Sequence, residues 1–287
     1  MTVCRNVAKI VESIEKTEGI GAKVFRGIGS RTLPSLDPFL LFDEAKIKPP
    51  AGFPPHPHRG FQTVSYILKG KLSHEDFCGH KGLLGPGDMQ WMTAGRGIVH
   101  SEIPSVGSTE EGHGLQLWIN LRSDEKMCEP DYQEFSSKKI PKSKSNGVSV
   151  NILSGEALGV KSKINTRTPA MYLDFNFKPG AKHQQPIPKG WNAFTYTLSG
   201  NIMVVGQSVP PHHTAILEDG DFVTLANESS EKCRFLLIAG KPLNEPVARH
   251  GPFVMNTQEQ IDEAIADYHN SRNGFENAQS WIQRENS

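Results

Sequence analysis

Two pairs of metal-ligating residues share one spacing in this chain: His56 with His58, and His100 with Glu102. In an extended strand the side chains at i and i+2 project to one face, so each pair delivers two ligands in one direction. Two such strands facing each other would surround one transition-metal ion with three imidazoles and one carboxylate. Neither pair is rare in a chain with 11 histidines, and a lone strand histidine is most often hydrogen-bonded or solvated. The prediction rests on the conjunction of two pairs, each in a strand-like run, with glycine turns between them.

The flanking residues supply such strands. Phe61-Gln62-Thr63-Val64-Ser65-Tyr66-Ile67-Leu68 follows the first pair, is rich in β-branched and aromatic residues, and stops at the turn Lys69-Gly70-Lys71. Gly85-Pro86-Gly87-Asp88 introduces a short run over residues 89–92, and Gly95-Arg96-Gly97 permits a tight bend before a run over residues 98–103. In that last run Ile98, His100 and Glu102 share a face, and Val99, Ser101 and Ile103 share the other.

Three neutral imidazoles and a carboxylate leave a divalent ion with a net charge of about +1 and, in six-coordination, about two open positions. On iron those positions accept a chelating substrate, dioxygen or both, whereas zinc in the same ligands acts only as a Lewis acid or a structural ion. Ligand type alone does not choose among iron, manganese, nickel, copper and zinc. Because each imidazole must be neutral to bind, the metal is expected to leave as pH falls below about 6.

Charge and composition narrow the classes of function. Lys+Arg and Asp+Glu are equal at 31 each, so no electrostatic footprint marks direct nucleic-acid binding. The basic cluster Lys138-Lys139-Ile140-Pro141-Lys142-Ser143-Lys144 reads as a solvated linker. No apolar segment approaches the length of a membrane span, and the first residues lack the apolar core of a secretory signal. Cys4, Cys78, Cys128 and Cys233 show no CxxC spacing and read as reduced thiols of an intracellular protein.

Twenty-seven glycines, twenty prolines and many short apolar runs predict an all-β chain. An internal repeat divides it. Residues 61–70 resemble residues 191–200, with aromatic, Tyr, Leu and Gly positions in register, and Gly87-Asp88 and Gly220-Asp221 follow the two copies. Carrying that register back sets Pro186 and Pro188 against His56 and His58, so the second copy is expected to hold no ion. Near the end, Thr257-x-x-Gln260 has the form of a capping box, and Ile261, Ala264, Ile265 and Tyr268 share a helical face before Asn273-Gly274. Phe275 and Trp281 are expected to pack the last segment onto a barrel.

Gly52-x3-His56-x-His58, the strand ending at Gly70, Pro86-Gly87-Asp88 and Gly97-x2-His100 together resemble the two metal motifs of the cupin superfamily. The blocks beginning at His56, His74 and Gln90, with the block Glu245-Pro-Val-Ala-Arg-His-Gly-Pro-Phe-Val-Met-Asn256, are more closely similar to the pirin family, including its plant members. The resemblance implies an all-β bicupin of two antiparallel jelly-roll-type barrels with a short C-terminal helix. Residues 1–135 would form a metal-binding barrel, 136–146 a linker, and 147–287 a metal-free barrel with a helical tail. The implied ligands of one iron ion are His56, His58, His100 and Glu102. Cupins usually offer a further glutamate after the His-x-His pair, and Gln62 stands in that neighbourhood here, which leaves Glu102 as the single anionic ligand.

Pirins and related bicupins are associated with quercetin dioxygenase activity, which would make a flat flavonol the substrate. Phe53, Trp91 and Met92 are the expected pocket residues, with Asp43 as a base or outer acceptor; ordinary core packing is the competing reading. Eukaryotic pirins are also regarded as nuclear transcriptional cofactors, which would place this chain in the nucleus and cytoplasm as a regulator. On that alternative the iron is a redox or structural switch and the partners are a transcription factor or a heterotrimeric G-protein α-subunit.

Overall fold

Alternating apolar and polar residues cut by glycine turns produce strands through most of the chain, and the computed structural model describes residues 2–105 and 109–285. The first twelve strands are β1 (Val7–Glu12), β2 (Glu15–Glu18), β3 (Ala22–Ile28), β4 (Phe39–Ile47), β5 (Phe53–His58), β6 (Phe61–Lys69), β7 (Leu72–Asp76), β8 (Lys81–Leu84), β9 (Met89–Thr93), β10 (Ile98–Pro104), β11 (Gly112–Asn120) and β12 (Asp131–Phe135). Eleven of these make two sheets, ordered β12-β9-β6-β11-β4-β3-β2 and β5-β10-β7-β8. β5 holds Pro54, Pro55 and Pro57, which are tolerated because it is the edge strand and spends no central ladder bonds on them.

The second half repeats this plan. A seven-stranded sheet contains Asn192–Ser199 between His213–Leu217 and Cys233–Gly240, as β6 lies between β9 and β11. A four-stranded sheet pairs Lys182–Pro186 with Phe222–Ala226, as β5 pairs with β10. The repeat is therefore real, but its downstream register differs from the sequence expectation. Gly87-Asp88 leads into β9, whereas Gly220-Asp221 leads into the counterpart of β10.

The expected division at residues 136–146 needs correction at three places. One unit gathers residues 1–14, 25–39 and 138–242; the other gathers residues 15–24, 40–137 and 243–287. β1 joins the second-half sheet by pairing with His213–Leu217, which covers an otherwise open edge. Lys142–Ser145, expected as linker, is a strand paired with Val148–Ser154. The C-terminal tail belongs to the unit containing His56 and His100, because its apolar face is complementary to that unit.

That tail begins with the hairpin of Ala248–His250 and Phe253–Met255 and continues as α1 (Gln258–His269) and α2 (Ala278–Glu285). Thr257 and Gln260 form the capping box, each side chain bonding the other's backbone N–H. α1 ends at His269, with Asn270 as its C-cap, ahead of the expected Asn273-Gly274. Ile261, Ala264, Phe275 and Trp281 are buried in one cluster with Phe77, Met92, Ile98 and Val99. Buried charge adds a second attachment: the Lys126 ammonium donates to the Gly60 carbonyl (2.8 Å), Asn120 Oδ1 (2.6 Å) and the Val254 carbonyl (3.1 Å). Among the described residues no disulfide joins any of the four cysteines, and no helix is long and apolar enough to cross a membrane.

Gly60 and Gly206 separate the two reasons for a glycine. Both have positive φ, 88° and 75°, but a Cβ on Gly60 would overlap the Val254 carbonyl oxygen, while nothing lies within 4 Å of one on Gly206. Gly206→Ala is expected to cost about 1–2 kcal/mol from backbone conformation alone. Gly60→Ala is expected to cost about 3 kcal/mol or more, since backbone must also move. Denaturant titration of the two variants measures the difference.

Candidate metal centre

β5 and β10 are hydrogen-bonded neighbours in one sheet, not strands facing each other across the barrel. Their antiparallel register sets His56 directly opposite His100 and His58 opposite Ile98. Directly paired residues project to the same face, so the three imidazoles converge from adjacent strands. β7 extends the face: Asp76 pairs with His100, and His74 with Glu102.

The convergence is tight. His100 Nε2 lies 3.0 Å from His58 Nε2 and 3.1 Å from His56 Nε2. With all three Nε2 atoms unprotonated, their lone pairs would point at one another, and a cation between them would stabilise that arrangement. With metal–nitrogen bonds of about 2.1 Å, cis ligands of an octahedron stand about 3.0 Å apart and ligands of a tetrahedron about 3.4 Å. The two spacings to His100 match the octahedral value, and all three ligand atoms lie within 4.8 Å of one another. Among the described residues these three histidines are the one group of His, Cys, Asp and Glu side chains gathered closely enough to hold an ion.

Outer contacts orient the ligands. His56 Nδ1 lies 2.8 Å from the Pro54 carbonyl, which makes Nδ1 the protonated nitrogen and leaves the Nε2 lone pair for a metal. Phe61 and Trp118 meet the His58 ring edge to face, at centroid distances of 5.2 and 5.4 Å. Glu102 is buried near the trio but outside that close group. Its two oxygens accept from Ser65 Oγ (2.9 Å) and Gln116 Nε2 (3.2 Å), and each oxygen keeps a further lone pair.

Strand alternation sorts the expected pocket residues. Ser65 faces Glu102; Gln90 and Met92 share the Ser65 face, whereas Trp91 pairs with Val64 on the opposite face. Trp91 is thus removed from the pocket and is fully buried elsewhere. Met92 has the right face, but it packs with Phe77, Ile98 and the C-terminal segment. Phe53 stays at the centre, half-buried with its ring 6.4 Å from that of His56. Asp43 is buried on β4 and is not gathered with the histidines. Gln62 shares Trp91's face and donates to Thr93 Oγ1, so it does not stand in for a ligand.

Several residues were given no site role by the sequence reading: Ser65, Gln116 and Trp118 around the ligands, and His74 and Asp76 on the ligand face. Gln116-x-Trp118 alternates with Leu115, Leu117 and Ile119, which marks a two-faced strand, but which face meets the metal depends on pairing with β6. His74 is held by Glu134 Oε1 at 2.8 Å and by Gln90.

Burial keeps the imidazoles neutral. Removal from water, with the neighbouring His100, lowers His56 to about 4, while Glu102 pulls it upward. Burial and then His74 lower His100 to about 3, with Asp76 opposing. His58 is pushed well below the ordinary histidine value by burial and by the other two rings.

The second unit lacks this set. His183 and Gln185 from one strand, and Val223 and Leu225 from its partner, are the more buried alternate residues of the β5/β10 counterpart. Pro186, expected in a ligand position, is exposed on the other face. His183 Nε2 bonds Gln185 Oε1 at 3.0 Å, and among the described residues it is not gathered with a second imidazole.

A duplicated β-sandwich with a three-histidine centre in one copy defines a bicupin. Models of known families agree: the family described as pirin matches residues 21–119, and the pirin C-terminal cupin domain matches residues 172–274. Pirin of Homo sapiens is 58% identical over 282 residues, covering 96% of this chain and 97% of its own. Quercetin 2,3-dioxygenase from Acinetobacter baumannii superposes with a TM-score of 0.87 at 32% identity, covering 94% of this chain and 98% of its own. A bacterial pirin from Escherichia coli, solved in complex with nickel(II), shares the fold at 20% identity and a TM-score of 0.65, covering 82% of this chain and 99% of its own. The chain belongs to the pirin family.

Depressed imidazole values set a pH dependence. In the metal-free protein the unfolded chain takes up protons below about 6.5 that the folded site refuses. Stability is therefore complete above about 6.5 and is lost as pH falls through that value toward the folded values of about 4 for His56 and about 3 for His100. Denaturation midpoints of metal-free protein should fall steeply over that window, and His56→Gln with His100→Gln should flatten the fall. Proton competition for the ligands also moves downward. Metal content after dialysis should survive pH 5 and be lost nearer pH 3, below the release near 6 that ordinary histidines would give.

Proposed function

We propose that this protein is an iron-dependent dioxygenase that opens the central ring of a flavonol such as quercetin. Convergence of the His56 and His58 Nε2 atoms on that of His100, at 3.1 and 3.0 Å, carries the reading, because three protein nitrogens on one ion leave coordination positions open for substrate and dioxygen. Support for the substrate class comes from the likeness to quercetin 2,3-dioxygenase across nearly the whole of both chains.

His56, His58 and His100 would hold the ion, with Glu102 as the anionic ligand. Iron, when bound, supplies the redox chemistry that reaction with dioxygen requires. The remaining work falls to the chain. Pro54 fixes the tautomer of His56, and Ser65 and Gln116 orient the Glu102 carboxylate by two donated hydrogen bonds. Phe53, at the half-buried edge beside His56, offers an apolar wall to a planar substrate. The Glu102 carboxylate is also the group placed to accept the proton that a flavonol hydroxyl releases on binding.

Protein reconstituted with iron(II) should consume oxygen when quercetin is added, and zinc-loaded protein should not. His56→Ala and Glu102→Ala should each lower the rate about 100-fold or more, and Ser65→Ala about 10–100-fold, with unchanged circular dichroism. Oxygen uptake indifferent to all three substitutions would remove the site from the reaction.

A further inference from the structure

The C-terminal segment grips both ligand strands at their roots. Immediately after β5, Arg59 follows His58, and its backbone bonds on both sides to residues 252–254, from the Arg59 N–H to the Pro252 carbonyl (3.2 Å) and from the Val254 N–H to the Arg59 carbonyl (3.0 Å). Its guanidinium is fully buried and donates to Asp267 Oδ2 in α1 (2.9 Å), to the Asn273 carbonyl and to the Arg96 carbonyl, while lying 4.7 Å over the Phe275 ring. Just before β10, Gly97 lies against the Gly274 carbonyl and the Phe275 ring with no room for a Cβ. Ile98, which shares the face of His58 and His100, is buried in the same cluster as Phe253, Phe275 and Trp281.

One buried cation therefore ties the residue after His58, the turn before His100 and the C-terminal helix together. The geometry points to Arg59 and Asp267 as positioning residues of the metal centre, with residues 252–285 as the element that holds His58 and His100 at ligand spacing. Metal binding and docking of this segment then stabilise each other, and the coupling is reciprocal. The inference rests on the metal-binding reading above. A purely structural tail predicts something different: lower overall stability with an unchanged site.

Nickel(II), which is stable to air oxidation, serves as the probe on the full-length protein. Hydrogen exchange at the α1 amides should slow at least about tenfold when nickel is bound. Asp267→Asn and, independently, Phe275→Leu should weaken nickel affinity by about 10–100-fold and shift the ligand-field absorption of the bound ion. Ile152→Val, a core change in the other unit, should lower stability and leave both readouts as in the wild type. Wild-type nickel affinity in the Asp267 and Phe275 variants would overturn the inference while leaving the metal centre standing. Failure of the wild-type protein to bind nickel or any other divalent ion would instead remove the functional reading beneath it.

Discussion

The pairing of His56 with His100 across two adjacent antiparallel strands is the constraint on which the rest of the structure depends. It brings the Nε2 atoms of His58 and His56 to 3.0 and 3.1 Å from that of His100, close enough for the three rings to share one ion. Everything around the trio can be understood as holding that arrangement. Burial keeps the rings uncharged, Pro54 selects a tautomer, and aromatic edges restrict the rotation of His58. A site prepared in this way would not have to reorganise much to receive an ion.

Duplication divides the labour. Both units use the same sheet order around a central strand, yet only one carries a complete set of imidazoles at the equivalent sheet position among the described residues. The other fills its core with Phe175, Phe177, Phe235 and Leu237, so the same architecture serves as a packed body. Replacing ligands by apolar side chains is the easier outcome, since an unpaired buried polar cluster costs more than a hydrophobic one.

The ends of the chain are exchanged between the two units. β1 completes a sheet of the unit that contains residues 138–242, and the C-terminal helices close the unit that contains the metal centre. For the second exchange the physical cause is the buried Arg59, a cation that needs Asp267 and two carbonyls from distant positions in the chain. A buried guanidinium left without them would be strongly destabilising, so the tail is selected by charge as well as by its apolar face.

Local rules made much of this legible. His-x-His and His-x-Glu in extended runs, the strand limits near Gly70 and Gly97, the repeat, and the capping box at Thr257 all follow from neighbours within a few residues, and the structure contains each of them. The three-histidine cluster was readable for the same reason, because a period of two sends His56 and His58 one way whatever lies around them. Tertiary structure decided the matters that depend on which strand lies beside which. Pairing with Val64 turned Trp91 away from the site, pairing with β6 brought Gln116 to Glu102, and edge protection drew β1 into the other sheet. A sequence specifies its own alternation, but the partner that each face meets is settled only when the strands assemble and bury it.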